Sequence, residues 1–323
     1  MKAIVYHDYG SPDVLKCEEI DQPTPGDSEV LIRVRAASVN PADWHYMRGT
    51  PYFVRLQAGL RRPKATRLGV DVAGQVETVG RNVTQLKPGD GVFGACRGAF
   101  AEYACAAESA LVMKPDNVTF EQAASVPIAA VTALQGLRDK GRIQPGQKVL
   151  INGAAGGVGT FAVQIAKSFG AEVTGVCSTR NVDRVRSIGA DQVIDYTQED
   201  FTKTGQRYDI ILDAVGNHSL LACRRALNPK GIYVAVGGPS GPWMIGPLAR
   251  AITAPVLSRL VSQNLVMLLA RLSKEGDLAI LRDLMAAGKL IPVIDRTYPL
   301  SEVPEAIRYL EEGHARGKVV ITL

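Results

Sequence analysis

The chain has 323 residues, which is long for one simple core and suits two domains. Hydrophobic residues make up 46% of it and charged residues 21%, with a mild, scattered net charge of +5. This composition is typical of an ordinary soluble globular protein. The densest basic patch is Arg61, Arg62, Lys64 and Arg67. A solvated loop or a cofactor-phosphate contact explains it better than nucleic acid, so no nucleic-acid partner is expected.

The chain opens with the strand pattern "MKAIVYHDYG", which leaves no room for a signal or transit peptide. Its five cysteines show no paired spacing, so we expect reduced thiols and a cytoplasmic location. Roughly the first 120 residues alternate apolar and polar positions between Gly and Pro turns, which predicts an all-β domain. The strand candidates in this part are "EVLIRVRAASVN", "DVAGQVETVG", "LKPGDGVFG" and "GAFAEYACA".

A glycine cluster follows in "KVLINGAAGGVGTFAVQIAK", Lys148 to Lys167. Its left flank predicts a buried strand, and its right flank has the apolar spacing of a helix that stops at Gly170. Strand, glycine turn and helix form the start of a βαβ nucleotide-binding unit, although Ala154 replaces the first glycine of the usual G-x-G-x-x-G frame. The glycines let the backbone approach a pyrophosphate, and the helix start presents N–H groups to it.

Four more strand candidates alternate with helices after the cluster, namely "EVTGVC", "QVID", "YDIILDAV" and "GIYVAVGG". This alternation predicts a parallel, doubly wound sheet, and so an α/β fold. The apolar stretch 241–272 is interrupted by Pro and Arg before it reaches membrane-spanning length. We interpret it as helices packed on the nucleotide domain or at a subunit interface, with a substrate lid or a membrane-surface contact as alternatives. The final segment is too short for a domain and is expected to return to the β domain.

The end of the second predicted strand indicates which dinucleotide binds. NAD-selective sites place an Asp or Glu there for the ribose hydroxyls, whereas this chain has Ser178, Thr179 and Arg180. A cation and hydroxyl groups suit the 2′-phosphate of NADP(H). The alternative is that Arg180 is an ordinary solvated residue at a helix start.

The motifs "ASVNPADW", "GVDVAGQVETVG", "LKPGDGVFG", "GAFAEY", "NGAAGGVG", "LGADQVIDY" and "GHARGKVVI" together resemble the medium-chain dehydrogenase/reductase superfamily over the whole chain. The most similar branch is that of the zinc-free quinone oxidoreductases. The resemblance implies a GroES-like β-barrel domain, residues 1–122 and 290–323, beside a Rossmann NADP(H)-binding domain, residues 123–289. It also implies an active site in the cleft between them and a homodimer formed through the sheet edge at "GIYVAVGG".

The resemblance predicts that no metal is bound. Zinc-dependent members carry a cysteine where this chain has Asn40 and a His-Glu pair where it has Val70-Asp71. Val70 has no ligating atom, and the four histidines form no cluster of zinc ligands. The four-cysteine lobe of the structural zinc site is also missing between Val92 and Lys114.

The family's cofactor contacts correspond to residues from several parts of the chain. Gly156, Gly157 and Val158 match the pyrophosphate turn, and Ser178, Arg180 and Tyr196 match the 2′-phosphate end. Further contacts are expected beneath the nicotinamide, at the carboxyl ends of strands and near the C-terminus, from Thr132, Val215, Gly237, His314, Ala315 and Arg316.

Without a Lewis acid, charge developing on the acceptor must be delocalised, which favours quinones and α,β-unsaturated carbonyls. We therefore expect an NADPH-dependent oxidoreductase that transfers hydride to a quinone or an enone. Candidates for the hydrogen bond to the developing oxyanion are Asn40, Tyr46 and Tyr52. Each has a structural alternative, either a turn asparagine or a packing tyrosine. Two other functions remain open: an enoyl reductase for a lipid or polyketide intermediate, and a non-enzymatic NADPH-sensing or RNA-binding protein.

Overall fold

The computed structural model describes residues 1–236, 262–272 and 276–323, which pack into two compact units. The first unit comprises residues 1–129, 272–288 and 292–323, and the second comprises residues 130–271 and 289–291. Residues 276–288 thus pack with the first unit, whereas the sequence analysis placed them in the nucleotide-binding domain. One contact that holds them there is a hydrogen bond of 3.1 Å from the Asn117 amide to the Met285 carbonyl.

The described strands, in chain order, are β1 (Lys2–Val5), β2 (Lys16–Glu19), β3 (Glu29–Val39), β4 (Asp71–Val79), β5 (Gly91–Ala95), β6 (Tyr103–Ala107), β7 (Leu111–Met113), β8 (Lys148–Asn152), β9 (Glu172–Cys177), β10 (Gln192–Asp195), β11 (Tyr208–Asp213), β12 (Leu227–Ala235), β13 (Asn264–Met267), β14 (Ile294–Pro299) and β15 (Lys318–Thr322). The described α-helices are α1 (Pro41–Arg48), α2 (Val54–Ala58), α3 (Phe120–Ala124), α4 (Pro127–Leu134), α5 (Gly157–Ser168), α6 (Val182–Ser187), α7 (Leu220–Arg225), α8 (Asp277–Ala286) and α9 (Val303–Glu311).

The first unit is built around a seven-stranded sheet centred on β3. One edge of β3 pairs with β4 over most of its length, while the other edge pairs with β6 near its start and with β15 near its end. Register shifts at Leu31/Ile32 and Val34/Ala36 interrupt the β3–β4 ladder. Such irregularities bend a strand, and this allows one strand to serve two neighbours on the same side.

The C-terminal segment completes the first unit. β15 runs antiparallel to β3, and β14 runs parallel to β15 at the edge of the sheet. The residues of β15 from Lys318 to Ile321 are all buried. The two ends of the chain therefore share one core.

The second unit contains a six-stranded parallel sheet in the order β10-β9-β8-β11-β12-β13. The predicted doubly wound α/β fold is confirmed, because the order reverses between β8 and β11 as it does in dinucleotide-binding sheets. β8, β9 and β11 are buried almost throughout, which is typical of parallel strands covered on both faces. The predicted helix also forms: α5 ends at Ser168, before Gly170 with a φ of 77°.

Two expectations about the end of this sheet were wrong. Residues 264–267, inside the stretch interpreted as helices, form strand β13, because this short apolar run pairs in parallel with β12. Short apolar runs in strands and in buried helices cannot be distinguished by periodicity. β13 also pairs along the outer edge of β12. The segment "GIYVAVGG" is therefore not the sheet edge at which a dimer was expected. Most of the stretch 241–272 lies outside the described residues.

No helix among residues 1–236, 262–272 and 276–323 combines the length and the apolar character that a membrane crossing requires.

Candidate functional site

The turn between β8 and α5 is shaped by two glycines that nothing larger could replace. Gly153 has a φ of 85°, and a Cβ built on it would lie 2.8 Å from Cγ2 of Val215. A Cβ on Gly159 would lie 2.0 Å from the carbonyl oxygen of Gly153, so the first turn of the helix touches the turn backbone directly. These contacts fix the approach of α5 to the end of β8.

Gly156 has a different role, because it leaves space in front of the helix. A Cβ on Gly156 would have no neighbour closer than 3.5 Å. Gly157 and Val158 follow as the first residues of α5, whose initial N–H groups have no partner within the helix. A pyrophosphate approaching Gly156 would therefore meet exposed donors and the positive end of the helix dipole.

The predicted 2′-phosphate residues lie at the carboxyl ends of two neighbouring strands. Ser178 follows β9, and Tyr196 follows β10, with its backbone N–H donating to the carbonyl of Cys177 at 3.0 Å. Arg180 is exposed, and no hydrogen bond or ion pair ties its guanidinium to the described part of the chain. Tyr196 is 59% exposed. This end of the sheet thus presents the Arg180 guanidinium together with the hydroxyl groups of Ser178 and Tyr196.

Two residues missed by the sequence analysis belong to the same end. Oδ1 of Asn181 is a buried acceptor without a hydrogen-bond partner in the described structure, while the Nδ2 group of Asn181 donates to Oγ of Ser178 at 3.1 Å. Asp195 accepts a hydrogen bond of 2.6 Å from Thr179, and this bond is the main cause that lowers the pKa of the carboxyl. The unpartnered acceptor suits a ligand hydroxyl, which makes this end fit the adenosine half of a dinucleotide.

At the point where the strand order reverses, Asp213 organises the loop that carries Val215. Its fully buried carboxylate accepts from the Asn152 amide at 2.8 Å, from the N–H groups of Val215 and Gly216, and from the Tyr233 hydroxyl at 2.6 Å. Val215 itself is 42% exposed. Open α/β sheets bind ligands at such a switch point.

The other predicted cofactor contacts are distributed over both units. Thr132 lies buried on α4 in the second unit, and Gly237 lies outside the described residues. His314 is exposed in a loop of the first unit, Ala315 packs against the core of that unit, and the Arg316 N–H donates to Asp295 at 2.8 Å.

A buried polar cluster in the first unit surrounds Asn40. Its side-chain Nδ2 donates to the carboxylate of Asp71 at 2.9 Å and to the Ser38 carbonyl at 3.2 Å, and its Oδ1 accepts from the ammonium of Lys318 at 2.6 Å. The Asn40 amide is thus fully engaged and 1% exposed. It could give a hydrogen to a substrate only by breaking one of these bonds, so this geometry supports an orienting role.

The carboxyl groups of Asp71 and Asp43 both interact electrostatically with the Lys318 ammonium. Asp71 also accepts from the Ser38 hydroxyl and from the Ile128 N–H, and its carboxylate lies 3.7 Å from Nζ of Lys318. Burial raises the pKa of Asp71 and lowers that of Lys318, while their mutual attraction opposes both shifts. Asp43 accepts from the N–H groups of Asn40 and Gly69, and burial raises its pKa to about 7.

The candidate tyrosines sit beside this cluster in sequence but are exposed. Tyr46 lies on α1 and is 41% exposed, and Tyr52 lies just beyond that helix and is 44% exposed. The guanidinium of Arg55 lies 5.2 Å from the ring centre of Tyr52 and 4.6 Å from that of Tyr9, so a cation–π stack holds the Tyr52 ring.

The cluster does not fit a zinc ion. The Lys318 ammonium already contacts the Asn40 oxygen, Asp71 is satisfied by donors from the chain, and Val70 has no ligating atom. Within the described ranges, no three His, Cys, Asp or Glu residues are grouped as a metal site. A divalent cation would have to displace a buried ammonium that makes its own hydrogen bonds.

Asp43, Asp71 and Lys318 were missed as site residues, because Lys318 meets Asn40 across 278 residues of sequence. One signal was present: Lys318 is the sole charge in the apolar strand "KVVIT", and a lysine there must find an acceptor.

Two families match the chain. Residues 26–116 match the family described as alcohol dehydrogenase GroES-like domain, and residues 188–321 match zinc-binding dehydrogenase. The chain is 37% identical to the 2-methylene-furan-3-one reductase of Solanum lycopersicum, over 99% of this chain and 79% of that protein. It is equally identical, with the same coverage, to the chloroplastic NADPH-dependent alkenal/one oxidoreductase of Arabidopsis thaliana. The solved quinone oxidoreductase from Coxiella burnetii is 33% identical, with a TM-score of 0.87 over 100% of this chain and 99% of that chain.

Proposed function

Since the chain belongs to the medium-chain dehydrogenase/reductase superfamily, in its quinone and alkenal/one oxidoreductase branch, we propose that it reduces quinones or enones with NADPH. The observation that carries the choice of acceptor is the 2.6 Å contact between Lys318 and Asn40. An ammonium held by an amide is no Lewis acid, so a metal-independent reaction needs an acceptor that delocalises the incoming charge.

The second unit supports NADP(H) as the cofactor. Gly156 leaves room for the pyrophosphate, Arg180 and Tyr196 are exposed where a 2′-phosphate would lie, and Asn181 offers an unsatisfied acceptor. When bound, NADPH supplies the hydride. The residues of this unit bind and orient the cofactor, and orientation is a large part of catalysis in such reactions.

The first unit supplies the polar groups of the reaction in this proposal. An enone accepts hydride at its β-carbon and a proton from solvent or a tyrosine, giving the saturated carbonyl compound and NADP⁺. A quinone accepts hydride and a proton to give the hydroquinone. Tyr46 or Tyr52 donates a hydrogen bond to the developing oxyanion, and Asn40 positions the start of α1, which carries Tyr46.

An acceptor panel tests this function. NADPH oxidation is followed with para-benzoquinone, with methyl vinyl ketone and with butanone, which differs from the enone in lacking the conjugated double bond. We expect turnover of the first two acceptors and none of butanone, with rates unchanged by a chelator. Turnover of butanone, or loss of activity with the chelator, would contradict a zinc-independent reaction.

The same panel separates the alternatives. A crotonyl thioester reduced much faster than the quinone and the enone would identify an enoyl reductase. Tight NADPH binding without turnover of any acceptor would favour the non-enzymatic sensor.

We also propose a reducing, cytoplasmic setting and a homodimer. No disulfide joins any two of the five cysteines, all of which lie in the described residues, and Cys96, Cys177 and Cys223 are buried. This is compatible with a compartment that keeps thiols reduced. Sedimentation velocity tests the dimer.

A further inference from the structure

The segment from Tyr46 to Arg67 combines exposed apolar side chains with an unusual charge composition. It contains six Lys or Arg residues and no Asp or Glu. Phe53 is 57% exposed, Leu56 71% and Leu60 69%, and these three lie on or next to the short helix α2. Large apolar side chains exposed to this extent, beside cations, indicate a binding surface.

Several of the six cations are already engaged within the chain. Arg48 forms a two-pronged ion pair with Glu311, Arg55 lies on the rings of Tyr9 and Tyr52, and Arg62 lies 3.1 Å from Asp8. Arg61 and Lys64 are exposed, and neither forms an ion pair within the described part of the chain. These two therefore remain to attract an anionic partner.

The loop that presents them is pre-formed. The Lys64 N–H donates to the Ala58 carbonyl at 2.7 Å, and the Tyr9 hydroxyl donates to the Gly59 carbonyl at 2.6 Å. Gly59 has a φ of 122°, and a Cβ there would lie 2.0 Å from the Arg62 carbonyl oxygen. Binding would thus order little additional backbone.

We propose that Phe53, Leu56, Leu60, Arg61 and Lys64 form an anionic-membrane contact, the membrane patch, through which the protein docks on lipid surfaces. The apolar side chains enter the boundary between headgroups and acyl chains while the cations meet anionic headgroups. A polynucleotide would gain nothing from two exposed leucines. This docking is independent of the proposed chemistry, although it would bring the protein to lipophilic acceptors.

Vesicle co-sedimentation tests the patch with the full chain. Vesicles of phosphatidylcholine with about a quarter phosphatidylglycerol are compared with pure phosphatidylcholine, at low salt and at about 0.5 M salt. We expect binding to the anionic vesicles that weakens strongly at high salt, and little binding to the neutral ones. Absence of binding to the anionic vesicles, or equal binding to both, would overturn the proposal.

Matched variants locate the contact. Arg61→Gln with Lys64→Gln should weaken partitioning about 25-fold, since each cation near an anionic surface contributes about five-fold. Leu56→Ser with Leu60→Ser should also release the protein, whereas Leu269→Ser, at an 82% exposed leucine elsewhere, should not. Lys87→Gln with Lys140→Gln removes the same charge from other parts of the surface and should weaken partitioning much less.

Two further outcomes would replace the membrane by another partner. Binding of a DNA oligonucleotide in preference to vesicles, lost in the Arg61/Lys64 variant, would identify a nucleic-acid surface. A change of sedimentation coefficient in the Leu56/Leu60 variant, without vesicle binding by the wild type, would identify contact with a second copy. Because these readouts need no turnover, they can fail while the proposed reductase activity stands.

Discussion

Lys318 is the residue on which the buried cluster of the first unit depends. The residue is 3% exposed, and its ammonium contacts the Asn40 oxygen and the Val39 carbonyl, with the Asp71 carboxylate at 3.7 Å. Removing one partner of a buried ion pair leaves an uncompensated charge, which destabilises far more than the pair stabilises. The stability of the first unit should therefore be unusually sensitive to this one lysine.

The expected effect of Lys318→Met is a loss of about 3–5 kcal/mol in the free energy of unfolding, measured by urea denaturation. Adding Asp71→Asn should recover part of that loss, because the unpaired carboxylate is gone. The control is Lys148→Met, at a strand lysine whose Nζ lies 3.9 Å from the carboxylate of Glu172, a side chain that is 41% exposed. It should change stability by no more than about 0.5 kcal/mol. If the double variant lost as much free energy of unfolding as the two single variants lose together, the two charges would not be coupled.

At the scale of elements, α1 links the buried cluster to the candidate tyrosines. Asp43 holds the start of the helix by accepting the Asn40 N–H at 2.8 Å, and it also accepts the N–H of Gly69. Tyr46 lies on the same helix, which ends before Gly49 with a φ of 58°. The protonation state of Asp43 is therefore connected with the position of Tyr46.

Since burial raises the pKa of Asp43 to about 7, the folded state binds a proton that the unfolded state, with a pKa near the ordinary value, releases at lower pH. The free energy of unfolding should consequently fall as pH rises from about 5 to about 7, by up to about 1.4 kcal/mol per pH unit. Above about pH 7 Asp43 is ionised in both states, and the pH dependence that it causes should flatten. Urea denaturation at a series of pH values measures this dependence.

The variant Asp43→Asn should reduce this slope, and Asp183→Asn, at a fully exposed aspartate, should leave it unchanged. Asp71, whose pKa burial also raises, remains in the variant and keeps part of the slope. A wild-type stability that increases over the same window would contradict the raised pKa of Asp43.

The elements that were predicted correctly are those whose pattern is local. β8, the glycine turn and α5 follow from an apolar run, close backbone contacts and helical spacing within some twenty consecutive residues, Lys148 to Ser168. β13 was missed because its four residues lie within a longer apolar stretch, and only pairing with β12 makes them a strand. The Asn40–Lys318 contact was missed for a related reason, since strand pairing brings together distant parts of the sequence.

For the whole molecule, the division into two units separates most of the proposed cofactor contacts from the proposed catalytic residues. The dinucleotide turn, Arg180 and Tyr196 all belong to the second unit, while Asn40, the two tyrosines and the proposed membrane patch belong to the first. A cofactor bound to the second unit should therefore stabilise that unit directly. Substitution of Lys318 or Asp43 should change the stability of the first unit whether or not cofactor is present.

This separation yields a test of cofactor specificity by stability alone. NADPH at about a hundred times its Kd should raise the free energy of unfolding by about 2.7 kcal/mol, and NADH at the same concentration should raise it less. The difference arises because the Arg180 guanidinium can pair with a 2′-phosphate that NADH lacks. Arg180→Gln should make the stabilisation by NADPH nearly equal to that by NADH. Arg186→Gln, at an arginine that faces Asp183, should preserve the difference between them. If NADH stabilises the wild type as much as NADPH does, the 2′-phosphate is not recognised by Arg180.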